Sequence, residues 1–334
     1  MTRLYLATGN AVGVVSRRNG RWAGELALPD KPTQCLAVDP RQTERLYCGT
    51  FGDGLWISHD AGATWHPAGD GIAHREVMAL AVGPLDGVLW AGTEPSALFR
   101  SEDGGRSWVE RTGLQELPSK PTWSFPPRPW THHVRWIAPD RLDPLRLFVG
   151  IELGGVMRSL DGGLTWEDRK PNSQWDAHTL ATHPMAPGRV YEAAGGGYAE
   201  SRDGGATWRR DDAGLRWRYL WGLAVDPADP DAVVVSASPG PMEAHSSRAA
   251  TAALHRRGNG SGWQEVTDGL PPARGTQAYV LATNPAEPGV FYAAPHDGDL
   301  YRSADQGRTW EKLDVAWPDG YRPPDAHALV AVGE

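Results

Sequence analysis

Cysteine is scarce in this chain, with two residues, Cys35 and Cys48, among 334. That excludes a disulfide-stapled scaffold and a cysteine-rich metal domain. The two fall on strands read as halves of one hairpin, so a bridge between them is geometrically conceivable. With no export signal ahead of them, two buried thiols are the expectation. Long apolar runs are missing as well. No stretch is long enough to span a bilayer, and the first ten residues pass directly into strand-like alternation without a signal-peptide core. The chain therefore reads as soluble and cytoplasmic, with no membrane contact. Basic blocks are also lacking. Lys plus Arg number 33 against 41 Asp plus Glu, a formal charge of −8, which gives no electrostatic footing for nucleic acid.

Turn formers are plentiful. Gly 40 and Pro 28 suit many short strands joined by turns better than helices. Tryptophan is unusually frequent at 16 residues, and one motif accounts for several of them. Ser201-Arg-Asp-Gly-Gly-Ala-Thr-Trp208 recurs at Ser58–Trp65, Ser101–Trp108, Ser159–Trp166 and Ser303–Trp310, always as Ser-x-Asp-x-Gly-x-(Thr/Ser)-Trp. The pattern reads as a hairpin turn. The Asp carboxylate accepts backbone N–H groups across the turn, and the Gly supplies a positive φ. The Trp then buries its ring against a neighbouring unit. On this reading Asp60, Asp103, Asp161, Asp203 and Asp305 are structural.

Upstream of each motif runs a second pattern of an apolar strand, an Asp-Pro or Asn-Pro turn, and another strand, as in Cys35–Pro40 followed by Arg45–Thr50. Each repeat is thus four short strands, the first nearly all apolar and the later ones alternating. Two repeats are degenerate. One replaces the Asp turn with Gly258–Gly262 ahead of Trp263. The N-terminal one has no first strand of its own, and Ala326–Val332 is the natural candidate to supply it, which would leave no open sheet edge. Motif tryptophans at 22, 65, 108, 166, 208, 263 and 310 count seven repeats.

The expected fold class is all-β, a seven-bladed β-propeller of four-stranded antiparallel blades forming one domain over 1–334. A six-bladed ring with one decorated blade is the alternative. Blade bounds are 1–29 with 326–333, 30–72, 73–114, 131–170, 177–214, 219–268 and 277–315. Insertions at 111–132 and 236–251 both emerge on the face opposite the Asp turns, which makes that face the place for a site.

The repeated turn matches the Asp-box, or BNR, repeat, and the chain resembles the Asp-box propeller superfamily of sialidases, xyloglucan-type glucanases, sortilin-type receptors and photosystem assembly factors. The Asp-Pro turn followed by Leu46-Tyr-Cys-Gly-Thr50 is more similar to the latter three than to sialidases. The Arg-Ile-Pro stretch of sialidases is missing, and no arginine triad can be assigned among Arg75, Arg128, Arg135, Arg218 and Arg274. The resemblance carries the fold, not the activity.

Candidate chemistry lies at the mouths of the innermost strands. His133, His178 and His327 hold nearly equivalent positions and are candidate ligands of a divalent metal, with Glu152 nearby; the alternative is a separate hydrogen bond for each. Trp123, Trp130, Trp175, Trp217, Tyr219, Trp221 and Tyr279 are candidates for stacking on a sugar ring or small molecule, or else for packing the loops. Glu94, Glu152, Asp176 and Glu192, with Arg135 beside them, are candidates for an acid/base pair of glycosidase type, or else solvated turn carboxylates. Two functions fit this inventory. One is a glycosyl hydrolase-like or metal-dependent hydrolase or lyase acting on a small molecule or glycan. The other is a non-catalytic scaffold for a protein partner.

Overall fold

The computed structural model describes residues 2–258 and 260–333. The Gly258–Gly262 turn contains Asn259, which lies outside the described residues. The recurring turn explains why the chain folds back where it does. In the copy at Ser201, the Ser201 hydroxyl donates to Asp203 Oδ1 (2.8 Å) and accepts from Gly205 N (2.8 Å). Asp203 Oδ1 then accepts from Thr207 N (2.9 Å), and its Oδ2 from the Thr207 hydroxyl (2.6 Å). The same bonds recur around Asp60, Asp161 and Asp305. Gly205 has φ 79°, and a Cβ there would lie 2.6 Å from the Phe148 ring, so glycine is required twice over.

Seven small antiparallel sheets result, and they define a seven-bladed β-propeller fold. Blade two is Thr33–Asp39, Gln42–Thr50, Leu55–Ser58 and His66–Ala68. Blades three, five, six and seven repeat that order, beginning at Glu76–Val82, Ala177–Thr182, Tyr219–Asp226 and Tyr279–Thr283. In blade one the C-terminal strand Ala328–Gly333 pairs with Thr2–Ala7, Leu6 opposite Leu329. The N-terminal repeat thus obtains its missing strand from the far end of the chain.

Two blades depart from four strands. Blade one gains a fifth, Val315–Ala316, parallel to Arg21–Ala27, and the Trp317 ring lies over Gly13 and Gly24, where any side chain would collide with it. Blade four has Val134–Pro139, Leu147–Ile151 and Gly155–Ser159, with its fourth position reduced to a bridge between Arg158 and Glu167. There the Glu167 carboxylate turns back to Arg158 (2.7 Å) and Lys170 (2.7 Å), and Pro171 ends the pairing.

The chain divides into two compact units, Met1–Thr33, Gly195–Tyr198 and Asp211–Glu334 in one, Gln34–Ala194 and Ala199–Arg210 in the other. The second unit holds blades two to five. Its core lies between blades: Cys35, Tyr47 and Ile57 of blade two pack with Leu89 and Phe99 of blade three, and Phe148 of blade four with Val190 and Trp208 of blade five. The first unit is built likewise, with Val234 and Leu254 against Phe291 and Trp310, and Leu4 and Val15 against Tyr292.

The innermost strands are not the most deeply buried, contrary to their apolar sequences. Second strands such as Leu147–Ile151 and Val190–Ala194 are buried at every residue, whereas Val134–Pro139 is not. A second strand has a partner on both edges, while the innermost strand has one on a single edge. Cys35 and Cys48 are free and buried, and burial pushes the Cys35 thiol up to about 12. Among the described residues no helix is long and apolar enough to cross a membrane.

The Asp turns make stability depend on acid. Hydrogen bonds from the Thr hydroxyl and backbone hold Asp60 and Asp203 down to about 2, from 3.8. A carboxyl lowered by folding contributes stability above its unfolded value and loses it as pH falls through the folded one. Urea-unfolding stability should therefore decline as pH drops from 4 to 2. Asp203→Ala should cost about 1 kcal/mol at neutral pH, because the turn faces solvent.

Candidate functional site

In the second unit, four connections on the face away from the Asp turns bring charged side chains together. The end of strand Leu89–Glu94 supplies Glu94, and the long loop 111–132 supplies Arg128. His133 stands just before strand Val134–Pro139, and Glu152 just after Leu147–Ile151. The loop ahead of Ala177–Thr182 supplies Trp175 and Asp176, and that strand carries His178.

These groups form one continuous run. The Arg128 guanidinium forks onto Glu94, Nε to Oε1 at 2.6 Å and Nη2 to Oε2 at 2.5 Å. His133 has Nδ1 3.4 Å from Glu94 and Nε2 2.9 Å from Glu152. Arg135 Nε stands 3.7 Å from Glu152. Asp176 accepts a bond from Leu153 N at 3.3 Å, and its other oxygen lies 3.4 Å from His178 Nε2. One donor atom each of Glu152, Asp176 and His178 lie within 4.8 Å of one another, close enough for a single cation. Phe125 sets its ring edge against His133 at 4.7 Å and lies beneath Arg128 at 4.6 Å, which ties the long loop to the run.

Burial alone would raise the Glu152 carboxyl. The bond from His133 and the nearby charges of His133, His178 and Arg135 outweigh it and bring the group to about 2. Glu192 is the reverse. It is fully buried, one oxygen accepting from Gln174 N at 3.0 Å and the other without a hydrogen-bond partner. Burial pushes it to about 8, against the Gln174 bond and the Arg210 charge.

The first unit has an imidazole cluster of its own. His296 Nδ1 is 2.6 Å from Asp325, and His327 Nε2 is 3.4 Å from the same carboxylate. His245, on the short helix Pro241–His245 of the second insertion, reaches the Tyr219 hydroxyl at 3.0 Å. Its ring lies 4.2 Å from Trp221 and 5.4 Å from His296.

The expected site residues are therefore sorted by the fold. Glu152, Asp176, His133, His178 and Arg135 meet, while His327 belongs to the first unit and pairs with Asp325. Glu192 is corrected as a group in contact with substrate, because its carboxyl is sealed inside blade five. Trp123, Tyr219 and Tyr279 are corrected as exposed stacking platforms, since all three are buried. Trp123 instead anchors the long loop by packing with Val134 and Ile151, its Nε1 donating to the Ser119 hydroxyl of the same loop at 3.0 Å. Trp221 is half-buried, and Trp130 and Trp175 are exposed, at 80% and 44%. Reading the sequence overlooked Phe125, His245 and Asp325. A phenylalanine between two tryptophans in a proline-rich loop was the available signal for the first, and nothing local marks the other two.

Fold and repeated turn together define a β-propeller of the Asp-box class. The BNR/Asp-box repeat profile matches residues 56–67, one of the five copies of the turn. A curated relative, the oligoxyloglucan-reducing end-specific xyloglucanase of Emericella nidulans, is 27% identical over 150 residues, 40% of this chain and 17% of that enzyme. The chain thus matches less than a fifth of the relative's length. Among solved structures, the GH74 xyloglucanase from Xanthomonas campestris is similar over 97% of this chain and 52% of its own, at 17% identity and TM-score 0.68. YCF48 bound to D1 peptide is similar over 84% and 81%, at 19% identity and TM-score 0.58.

Glu192 yields a test with an unusual sign. Its folded value is raised, so between 4.5 and about 8 the folded chain holds a proton that the unfolded chain releases, and stability falls as pH rises. Glu192→Gln removes that slope. Denaturant titrations should find the variant more stable than the parent at pH 8, by roughly 1–3 kcal/mol, and little changed at pH 5.

Proposed function

We propose that this chain binds a glycan on the loop face of blades four and five, with hydrolysis of a glycosidic bond as its activity. The observation that carries the reading is Trp175. Its ring is exposed, the Arg169 guanidinium stacks over it at 4.2 Å, and the next residue is Asp176 of the charged run. A rigid aromatic face beside clustered hydroxyl acceptors is what a sugar ring needs, apolar contact on its C–H face and hydrogen bonds at its rim. Similarity to xyloglucanases supports the same substrate class. Glu152, whose carboxyl is brought down to about 2, stands close to Asp176, and together they offer acceptors for sugar hydroxyls.

A scaffold role is the second reading. Trp130 projects from the proline-rich loop and is 80% exposed. YCF48, similar in fold, is a propeller bound to a peptide. Exposed tryptophan on an ordered loop is a common anchor for a protein partner.

Calorimetry against a panel of β-glucan and xyloglucan oligosaccharides separates the two. Trp175→Ala should weaken binding about tenfold, near 1.4 kcal/mol, with the fold intact by circular dichroism. Trp130→Ala should leave it unchanged. Affinity indifferent to Trp175, or lost only with Trp130, would sink the glycan reading.

A further inference from the structure

We propose that Glu152, Asp176 and His178 together hold one divalent metal ion of the Zn²⁺ or Mn²⁺ type. The proposal rests on the same location as the glycan site and names its cofactor; metal binding itself is measured without any sugar.

Geometry comes first. Donor atoms around one metal, each at about 2.0–2.2 Å, lie no more than about 4.4 Å apart. The three donors here, already within 4.8 Å of one another, need only small side-chain movements to close on an ion. They come from the turn after Leu147–Ile151, the loop ahead of Ala177–Thr182 and that strand itself, so two neighbouring blades fix them.

Burial comes second. This is not a solvated acidic surface. The His178 side chain is wholly buried, and those of Glu152 and Asp176 are 12% and 19% exposed. Two carboxylates confined this closely repel one another, and a cation between them relieves that cost. Arg135, 3.7 Å from Glu152, offsets part of the charge from the side of Glu152.

The surroundings also suit a metal. Ligating carboxylates are usually held by an outer partner. Glu152 is held by His133 at 2.9 Å, which is braced in turn by Glu94 and its Arg128 fork. Asp176 is held by Leu153 N. One imidazole and two carboxylates form a mixed nitrogen and oxygen set, which favours zinc or manganese over calcium. Three protein ligands leave coordination positions for water or a sugar hydroxyl, the pattern of a catalytic rather than a structural site. With a metal bound, Glu152 and Asp176 serve as ligands, not as acid and nucleophile.

Isothermal titration of Zn²⁺ into the chelator-stripped full chain, with Mn²⁺ and Ca²⁺ as comparators, tests this. One Zn²⁺ should bind per chain, at least tenfold more weakly in Asp176→Asn and in His178→Gln. No stoichiometric Zn²⁺ or Mn²⁺, or affinity indifferent to both site variants, overturns the proposal. Should those variants fail to fold, Co²⁺ added to the wild-type chain decides. A ligand-field absorption band saturating at one equivalent supports the site, and no such band rejects it. Trp175→Ala separates the two readings, since it should keep the metal while losing the glycan. Glycan binding with no metal sinks this proposal alone, and metal with no glycan binding sinks the other alone.

Discussion

Blades three, four, five and seven are each held by the way an Asp turn seats on the blade before it. The turn's glycine lets backbone approach side chains of the preceding sheet: Gly163 sits on Trp90, Gly205 on Phe148 and Gly307 on Val234. Three residues later the motif tryptophan adds a backbone bond to the preceding blade's outer loop, Trp108 N to Asp70 O at 2.9 Å and Trp310 N to Asp268 O at 3.1 Å. Its indole Nε1 closes back onto the turn, as Trp108 does on Gly105 O at 3.1 Å. One short motif therefore satisfies its own polar groups and excludes water from the layer between sheets. A four-stranded sheet this small could not bury a core alone.

That division of labour leaves the opposite face free of structural duty. Loops there do not carry the turn that seats one sheet on the next, so they tolerate length, charge and exposed aromatic rings. Blades four and five use the freedom most fully. The long loop is pinned near its middle by Ser119 N on Asp168 and near its end by Arg128 on Glu94, and between them Phe125 packs on His133. A charged run that would be costly if left loose is thus braced from several sides, and His133 has a carboxylate at each ring nitrogen. Glu192 marks the other extreme. The same burial that keeps its carboxyl protonated removes it from contact with any ligand.

Much of the architecture was legible because it repeats. Five copies of one turn and seven tryptophan positions determine blade count, strand order and the closing role of the C-terminal strand. The site was legible only in part. His133, His178, Glu152 and Asp176 stand at the ends of strands in equivalent places, so repeat logic puts them on the right face. His327, grouped with them by the same logic, has Asp325 of its own unit as its carboxylate partner. Burial was the other blind spot. Trp123, Tyr219 and Tyr279 look like Trp175 in sequence, yet packing hides them, and whether an aromatic near a loop is covered depends on the path of that loop.

The sequence by itself determined the sheets, their order and the turn chemistry, because the turn bonds close within four residues and, the C-terminal strands of blade one apart, each blade is built from strands adjacent in sequence. Only the tertiary structure decided which charged groups meet, since Glu94, Arg128, Glu152 and Asp176 come from separate connections and find one another only after blades three, four and five have packed. It also decided their charge. Two glutamates of one intrinsic acidity are driven to about 2 and about 8 by a neighbouring imidazole in one case and by sealed apolar surroundings in the other.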